Sequence, residues 1–314
     1  MRKEAEDVLY ASCPSQMRVI LLDARATGLS EKDRGKGPLR RQRERVTMSD
    51  VKVTSALITG TTSGLGRALL DHYAGSGVKV ISVNRRHLAE LEAQYPSARF
   101  EMVDVRSAEA VGRLVRDLAA SGQLPEVFIL NAGINRVDND EWFELSDYSE
   151  VVDTNLFGVL NFVGPLTRLP ASPVERHVIA ISSMVNYAGN PYGLGYYTSK
   201  KALTASFEVW SKMYAGTDIV FQQVMLGPVH TAIYTMAEHL PAWMGRIKDL
   251  FSASPSAAAR AISRFALTRK KKLFYPAPAL PLFGAMRLGQ GLVPGFFQGR
   301  KTLDGKVRRT GPSR

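Results

Sequence analysis

Thr59-Gly60-Thr61-Thr62-Ser63-Gly64-Leu65-Gly66 follows directly on the short apolar run Ser55 to Thr59 and leads into Arg67-Ala68-Leu69-Leu70, where a helical period begins. A strand that turns through glycines into a helix N-terminus suits a bound phosphate, because the helix end supplies unpaired N–H groups and partial positive charge. A side chain at Gly60 would obstruct the tight turn. One at Gly64 would keep the backbone from a pyrophosphate, and one at Gly66 would hold the helix off the sheet. Gly60, Thr62, Ser63, Gly64, Leu65 and Gly66 are therefore candidate cofactor contacts. The spacing differs from G-x-G-x-x-G, and no Gly-Lys-Ser/Thr follows to make a Walker loop.

Outward from this turn, β-branched or apolar runs alternate with longer segments of helical period, the pattern of a parallel sheet covered on both faces. Strands are predicted at Ser55 to Thr59, Lys79 to Val83, Arg99 to Val103, Val127 to Leu130, His177 to Ile181, Ile219 to Met225 and Leu273 to Tyr275. The expected class is α/β: a single doubly wound Rossmann domain over 48–276, with about seven strands and helices on both faces. Residues 1–47 are expected to be a disordered extension and 277–314 an apolar, then basic, C-terminal extension.

Composition narrows the function classes. The chain has 314 residues, 45% of them hydrophobic, and its only cysteine, Cys13, leaves no intramolecular disulfide. Its formal charge of +12 sits in the ends. Residues 1–47 hold 11 basic and 7 acidic side chains, residues 269–314 hold 11 and 1, and the body between them holds 19 and 21. Basic residues confined to tails, without interleaved aromatic platforms, argue against a nucleic-acid partner. No run reaches the roughly 20 apolar residues of a spanning helix, and Glu4, Glu6 and Asp7 disfavour a secretory signal, so a cytoplasmic location is expected. The five histidines lack metal-ligand spacing, and no metal is expected.

Two further stretches carry chemistry. The second strand ends Val83-Asn84-Arg85-Arg86, where an NAD-selective protein would place an acid against the ribose 2′-hydroxyl. A guanidinium there pairs with a 2′-phosphate instead, so Arg85, with Arg86 beside it, favours NADP(H) over NAD(H). In Gly195-Tyr196-Tyr197-Thr198-Ser199-Lys200-Lys201-Ala202, Tyr196 and Lys200 fall on one helical face, where an ammonium draws a phenol pKa of ~10 toward working pH. Tyr197 and Lys201 share that spacing. The Ser199-Lys200 dipeptide and small Ala202 favour the first pair. Upstream, Ser182-Ser183 ends a strand, placing a hydroxyl at the crevice that ligands use in open α/β sheets.

Together these residues resemble the short-chain dehydrogenase/reductase family over roughly 51–276. Thr59 to Gly66 is similar to its T-G-x-x-x-G-x-G, Asn131-Ala132-Gly133 to its N-A-G, and Tyr196 to Lys200 to its Y-x-x-x-K. Ser183 stands 13 residues before Tyr196, the family's habitual separation, and Asn155 in Thr154-Asn155-Leu156-Phe157-Gly158 matches its tetrad asparagine. The resemblance implies an NADP(H)-dependent oxidoreductase interconverting a secondary alcohol and a ketone or aldehyde. In it Tyr196 is the general acid or base, and Ser183 binds the substrate oxygen. Lys200 holds the nicotinamide ribose and lowers the tyrosine pKa, while Asn155 supports a relay water. It also implies adenine contacts from Asp104 and Val105, and a loop behind the cofactor at Asn131, Ala132 and Gly133. Gly227 to Thr231 resembles P-G-x-x-x-T with Leu226 in place of the proline; Val229 and Thr231 would border the cofactor, Thr231 facing the carboxamide.

Past Thr231, Ile233, Tyr234, Met236, Trp243, Met244 and Phe251 suit either a lipophilic substrate or ordinary lid packing. Arg269 to Lys272 beside Leu280 to Leu292 suits either an anionic membrane surface or packing on the body or on a second subunit, and a homo-oligomer is expected. The rival reading is a dinucleotide-binding sensor or scaffold without turnover. It has no need of Tyr196 and Lys200 together.

Overall fold

A computed structural model describes residues 53–87, 89–136, 144–188, 193–230, 252–281 and 284. The extension 1–47, the lid stretch 231–251 with Thr231, and the tail beyond 284 lie outside the described residues.

Seven strands form one parallel sheet: β1 (Ser55–Thr59), β2 (Lys79–Asn84), β3 (Arg99–Met102), β4 (Val127–Leu130), β5 (Arg176–Ser183), β6 (Ile219–Leu226) and β7 (Lys272–Tyr275), in the order β3-β2-β1-β4-β5-β6-β7. All seven expected strands are present, with ends shifted by up to two residues. The order reverses between β1 and β4, paired from Ala56↔Val127 to Ile58↔Ile129, which opens a crevice above their C-terminal ends.

Alternation along each strand makes two separate cores. Ala56, Ile58, Val80, Ile129, Ile179 and Val224 face α1 (Gly64–Gly75), α2 (Ala89–Gln94) and a later helix, Pro255–Ala266, through Leu69, Leu70, Leu91 and Ile262. Leu57, Ile81, Val83, Phe128, Val178 and Phe221 face the other side, against α3 (Ala108–Ala120), a further helix at Gly158–Thr167 and a long one at Leu194–Met213. Each fully buried Leu, Ile or Phe there contributes roughly 1.5 to 3 kcal/mol by removal from water.

Between α3 and β5 the chain runs α4 (Leu145–Val152), a π-helical turn (Asp153–Phe157) and α5 (Gly158–Thr167) without a break. After β5 come α6 (Val185–Ala188) and α7 (Leu194–Met213), and after β6 comes α8 (Pro255–Ala266). Ser107 and Ser254 cap α3 and α8, their hydroxyls accepting from Ala110 N and Ala257 N at 3.2 Å. Among the described residues no helix is long and apolar enough to cross a membrane. Of the C-terminal segment weighed for membrane contact, only 280, 281 and 284 are described.

Candidate active site

The glycine turn is held from three sides. Gly60 and Gly64 take φ of 71° and 55°, values that side-chain-bearing residues rarely adopt. A Cβ on Gly60 would stand 2.9 Å from Ala132 Cα. On Gly66 it would stand 1.9 Å from the Gly60 carbonyl oxygen and 2.6 Å from Asn131 Nδ2, so the crowding there comes from the turn itself rather than from the sheet alone. Asn131 closes the second side. Its Nδ2 donates to the carbonyls of Thr59 and Gly60 at 3.0 and 3.1 Å, while its N–H and that of Ala132 both donate to Thr59 Oγ1 at 2.9 Å. The third side is a buried cluster. Asn84 Oδ1 accepts from Thr61 N at 2.9 Å, and Asn84 Nδ2 donates to Thr61 Oγ1 and Ser82 Oγ at 2.9 Å. Unlike α3 and α8, α1 receives no side-chain cap from its N-cap residue, Ser63. Its first-turn amides suit a phosphate.

A cleft of about 470 Å³ runs over this turn and along the strand ends. Gly60, Thr62, Ser63, Gly64, Leu65, Gly66, Arg85, Asp104, Val105, Asn131, Ala132, Gly133, Tyr196, Lys200 and Val229 all line it, so the structure gathers in one place every predicted cofactor residue that is described. At its far end the exposed Arg85 and Arg86 are joined by Arg106, which sequence reasoning missed. Arg106 forks Asp104, Nε lying 3.0 Å from both carboxylate oxygens and one terminal nitrogen 2.6 Å from Oδ2. That side-chain hydrogen bonding holds the Asp104 carboxyl below its usual range against the opposing effect of burial. The available signal was an arginine two residues after an acid at a strand's end.

At the near end stand the catalytic candidates. Helix α7 turns Lys200 inward, 5% exposed, where its ammonium donates to the Ile181 carbonyl at 2.7 Å and lies 5.7 Å from the centroid of the Tyr196 ring. Lys201 points elsewhere, donating to the Asn186 carbonyl at 3.0 Å, so the rotation of α7 selects Tyr196 with Lys200 over Tyr197 with Lys201. Asn155 is fully buried in the π-helical turn. Its Oδ1 accepts from Ile134 N at 2.8 Å and its Nδ2 donates to Ile134 O at 2.9 Å, behind Gly133. Neither Asn155 nor Ser183 lines the cleft directly. The Ser183 hydroxyl faces the Tyr196 phenol at the end of β5. Beneath it, Asn186 Nδ2 reaches Thr204 Oγ1 at 2.7 Å, the Lys200 carbonyl at 3.1 Å and Ser182 Oγ at 3.2 Å, tying α7 to β5. This tie was not legible in the sequence.

One expectation is corrected. The sequence reading has Lys200 drawing the Tyr196 phenol down toward working pH. In the folded chain burial instead raises the Tyr196 pKa above 10.0, with Ser183 pulling partly back. Burial equally lowers Lys200 from 10.5 to about 8. The physical reason is that both groups are desolvated together without a counter-charge, so each is pushed toward its neutral form. Because a folded lysine of pKa about 8 binds fewer protons than the unfolded one at 10.5, its charged burial costs most below pH 8, and stability rises as pH climbs from 8 to 10.5. Over that window wild type should gain up to about 3 kcal/mol on Lys200→Met in chemical denaturation, at 1.36 kcal/mol per unit. Parallel pH curves for the two proteins would contradict the assignment.

Comparison with known proteins agrees with this arrangement. The model of the short chain dehydrogenase family matches residues 54–240. An uncharacterized oxidoreductase of Myxococcus xanthus is 31% identical over 170 residues, covering 51% of this chain and 65% of that protein's length. A 3-oxoacyl-[acyl-carrier-protein] reductase of Thermotoga maritima is 27% identical over 191 residues, covering 59% and 76%. A short-chain dehydrogenase structure from Streptomyces avermitilis superposes with TM-score 0.64 at 23% identity, covering 77% of this chain and 94% of that one, a likeness of fold.

Proposed function

We propose, from the premise that the chain belongs to the short-chain dehydrogenase/reductase family of oxidoreductases, that it is an NADP(H)-dependent enzyme interconverting a secondary alcohol and a ketone or aldehyde. The observation that carries the reading is the buried ammonium of Lys200 against the Tyr196 ring, with the Ser183 hydroxyl facing the phenol, at the end of a cleft floored by the glycine turn. The residues fit a dinucleotide: a Cβ on Gly66 would fill the cradle, the α1 N-terminus is uncapped by a side chain, and Arg85 stands at the cleft's far end.

When bound, the nicotinamide ring supplies or accepts the hydride. Everything else falls to the chain. Tyr196, kept neutral by burial, is poised to give its proton to the substrate oxygen as the carbonyl carbon is reduced, and to take it back in the reverse direction. Ser183 orients that oxygen. Lys200 presents positive charge to the phenolate left behind, and Asn155 fixes the backbone at Ile134 beside it. Met184, Met225, Tyr187 and Phe274 cluster next to Ser183, which favours a lipophilic substrate.

The test is a panel of ketones, aldehydes and secondary alcohols followed by NADPH absorbance and repeated with NADH. Turnover of a lipophilic carbonyl with NADPH is expected, and failure across a broad panel would favour a binder without chemistry. Arg85→Ala should raise the NADPH KM about 10- to 100-fold, the loss of a charge-assisted contact, and change that for NADH by less than about twofold. Equal effects on the two cofactors would remove Arg85 from the 2′-phosphate.

A further inference from the structure

We propose that Asn84 is a positioning residue that locks the phosphate-binding turn and the 2′-phosphate reader into one rigid unit, so that discrimination between NADPH and NADH depends on a side chain that makes no contact with the 2′-phosphate. The inference rests on the dinucleotide reading above and goes beyond it, because it concerns a residue outside the contact set.

Asn84 is the last residue of β2, 7% exposed, and its carboxamide is turned back beneath the glycine turn rather than out into the cleft. Every polar atom of that carboxamide is used. Oδ1 accepts the Thr61 amide at 2.9 Å, and Nδ2 donates to Thr61 Oγ1 and to Ser82 Oγ, each at 2.9 Å. Thr61 and Ser82 close the cluster through a hydroxyl pair at 2.6 Å, and both are buried. The main chain of the same residue faces the other way: Asn84 O accepts from Val103 N at 2.9 Å, immediately before Asp104. The residue before it, Val83, accepts from Gly60 N at 2.9 Å.

One residue therefore joins the turn that faces the pyrophosphate, the strand end that faces the adenine, and the point where the chain leaves β2 toward Arg85. The Arg85 side chain is exposed and makes no hydrogen bond to another described residue, so its reach is set by where its backbone begins. That origin is pinned to the turn by Asn84. A long side chain reading a phosphate from a floating origin loses binding through entropy, whereas a fixed origin keeps the distance between the two phosphate sites constant. Thr61 N is also consumed by Asn84, which leaves the later amides of the turn and the α1 N-terminus for the pyrophosphate.

The test is equilibrium titration of the full-length protein with NADPH and with NADH, followed by nicotinamide fluorescence, for wild type, Asn84→Ala, Arg85→Ala and the double variant. Thermal melts serve as the folding control. In Asn84→Ala the affinity for NADPH is expected to fall on the order of tenfold and that for NADH on the order of threefold, the smaller figure being the loosened turn. In the Arg85→Ala background the extra NADPH loss should vanish, the non-additivity that a shared unit requires. Equal losses for the two cofactors, or strict additivity with Arg85→Ala, would overturn the proposal. Should Asn84→Ala not fold, Ser82→Ala removes one hydrogen bond of the cluster and must show the same bias against NADPH at smaller size. Wild type that binds neither cofactor would overturn the dinucleotide reading itself, a result visible before any variant is compared.

Discussion

Replacing Tyr196 by phenylalanine is expected to lower turnover by about two to four orders of magnitude, the usual contribution of a positioned acid or base, and to leave NADPH affinity within about twofold. The substitution removes one oxygen and keeps the ring that Lys200 lies against. Burial holds the phenol in its neutral form, so the group lost is a proton donor aimed at a substrate oxygen, not a support for the fold. Single-turnover absorbance separates the chemical step from binding, and a fluorescence titration reports affinity. Turnover within about tenfold of wild type would remove Tyr196 from the chemistry. It would return attention to the sensor reading.

A comparable loss, on binding instead of chemistry, is expected from Gly66→Ala. The new Cβ would lie 1.9 Å from the Gly60 carbonyl oxygen, a main-chain atom that Asn131 also holds by a 3.1 Å hydrogen bond, so neither neighbour can yield cheaply. The start of α1 must move away from the turn, taking its unpaired amides out of line with a phosphate. NADPH affinity should fall at least about a hundredfold, with a stability loss of about 1 to 3 kcal/mol from overpacking. Gly75→Ala in the last turn of the same helix is the control, since nothing lies within 4 Å of its Cβ. It should bind normally and melt no lower than wild type. Normal NADPH binding by Gly66→Ala would show that the turn is not the phosphate site.

The strands were legible because fully buried parallel strands must be written in β-branched and apolar residues, and the runs around Leu57, Ile81, Ile129 and Ile179 are written so. Their ends were less so. β2 continues to Asn84 and β5 reaches from Arg176 to Ser183, because ladder hydrogen bonding carries on through polar residues whose side chains find buried partners. The cofactor residues were legible since glycines, the β2 arginine and the Tyr-Lys spacing each have a local chemical reason. What escaped was every interaction that needs two distant segments in contact: Ser82 and Asn84 with Thr61, Asn186 with Thr204, and the inward rotation that separates Lys200 from Lys201. The polar alternation Ser82, Asn84 within an apolar strand was the one trace of the first. The direction of the Tyr196 shift escaped for another reason. Desolvation depends on the atoms packed around a group, and a spacing of four residues says nothing of them.

The π-helical turn at Asp153–Phe157 has a consequence for how this chain can vary in length. Wide turns of this kind accommodate one surplus residue inside an otherwise regular helix. Deleting any single residue there would leave α4 and α5 as a smoother rod, more favourable as a helix taken alone, yet it would swing all that follows by about 100° about the axis. Asn155 would leave the Ile134 backbone it now clasps. This stretch should therefore accept substitution at its exposed positions and reject every shortening, a pattern of tolerance that a screen of in-frame codon deletions would display directly.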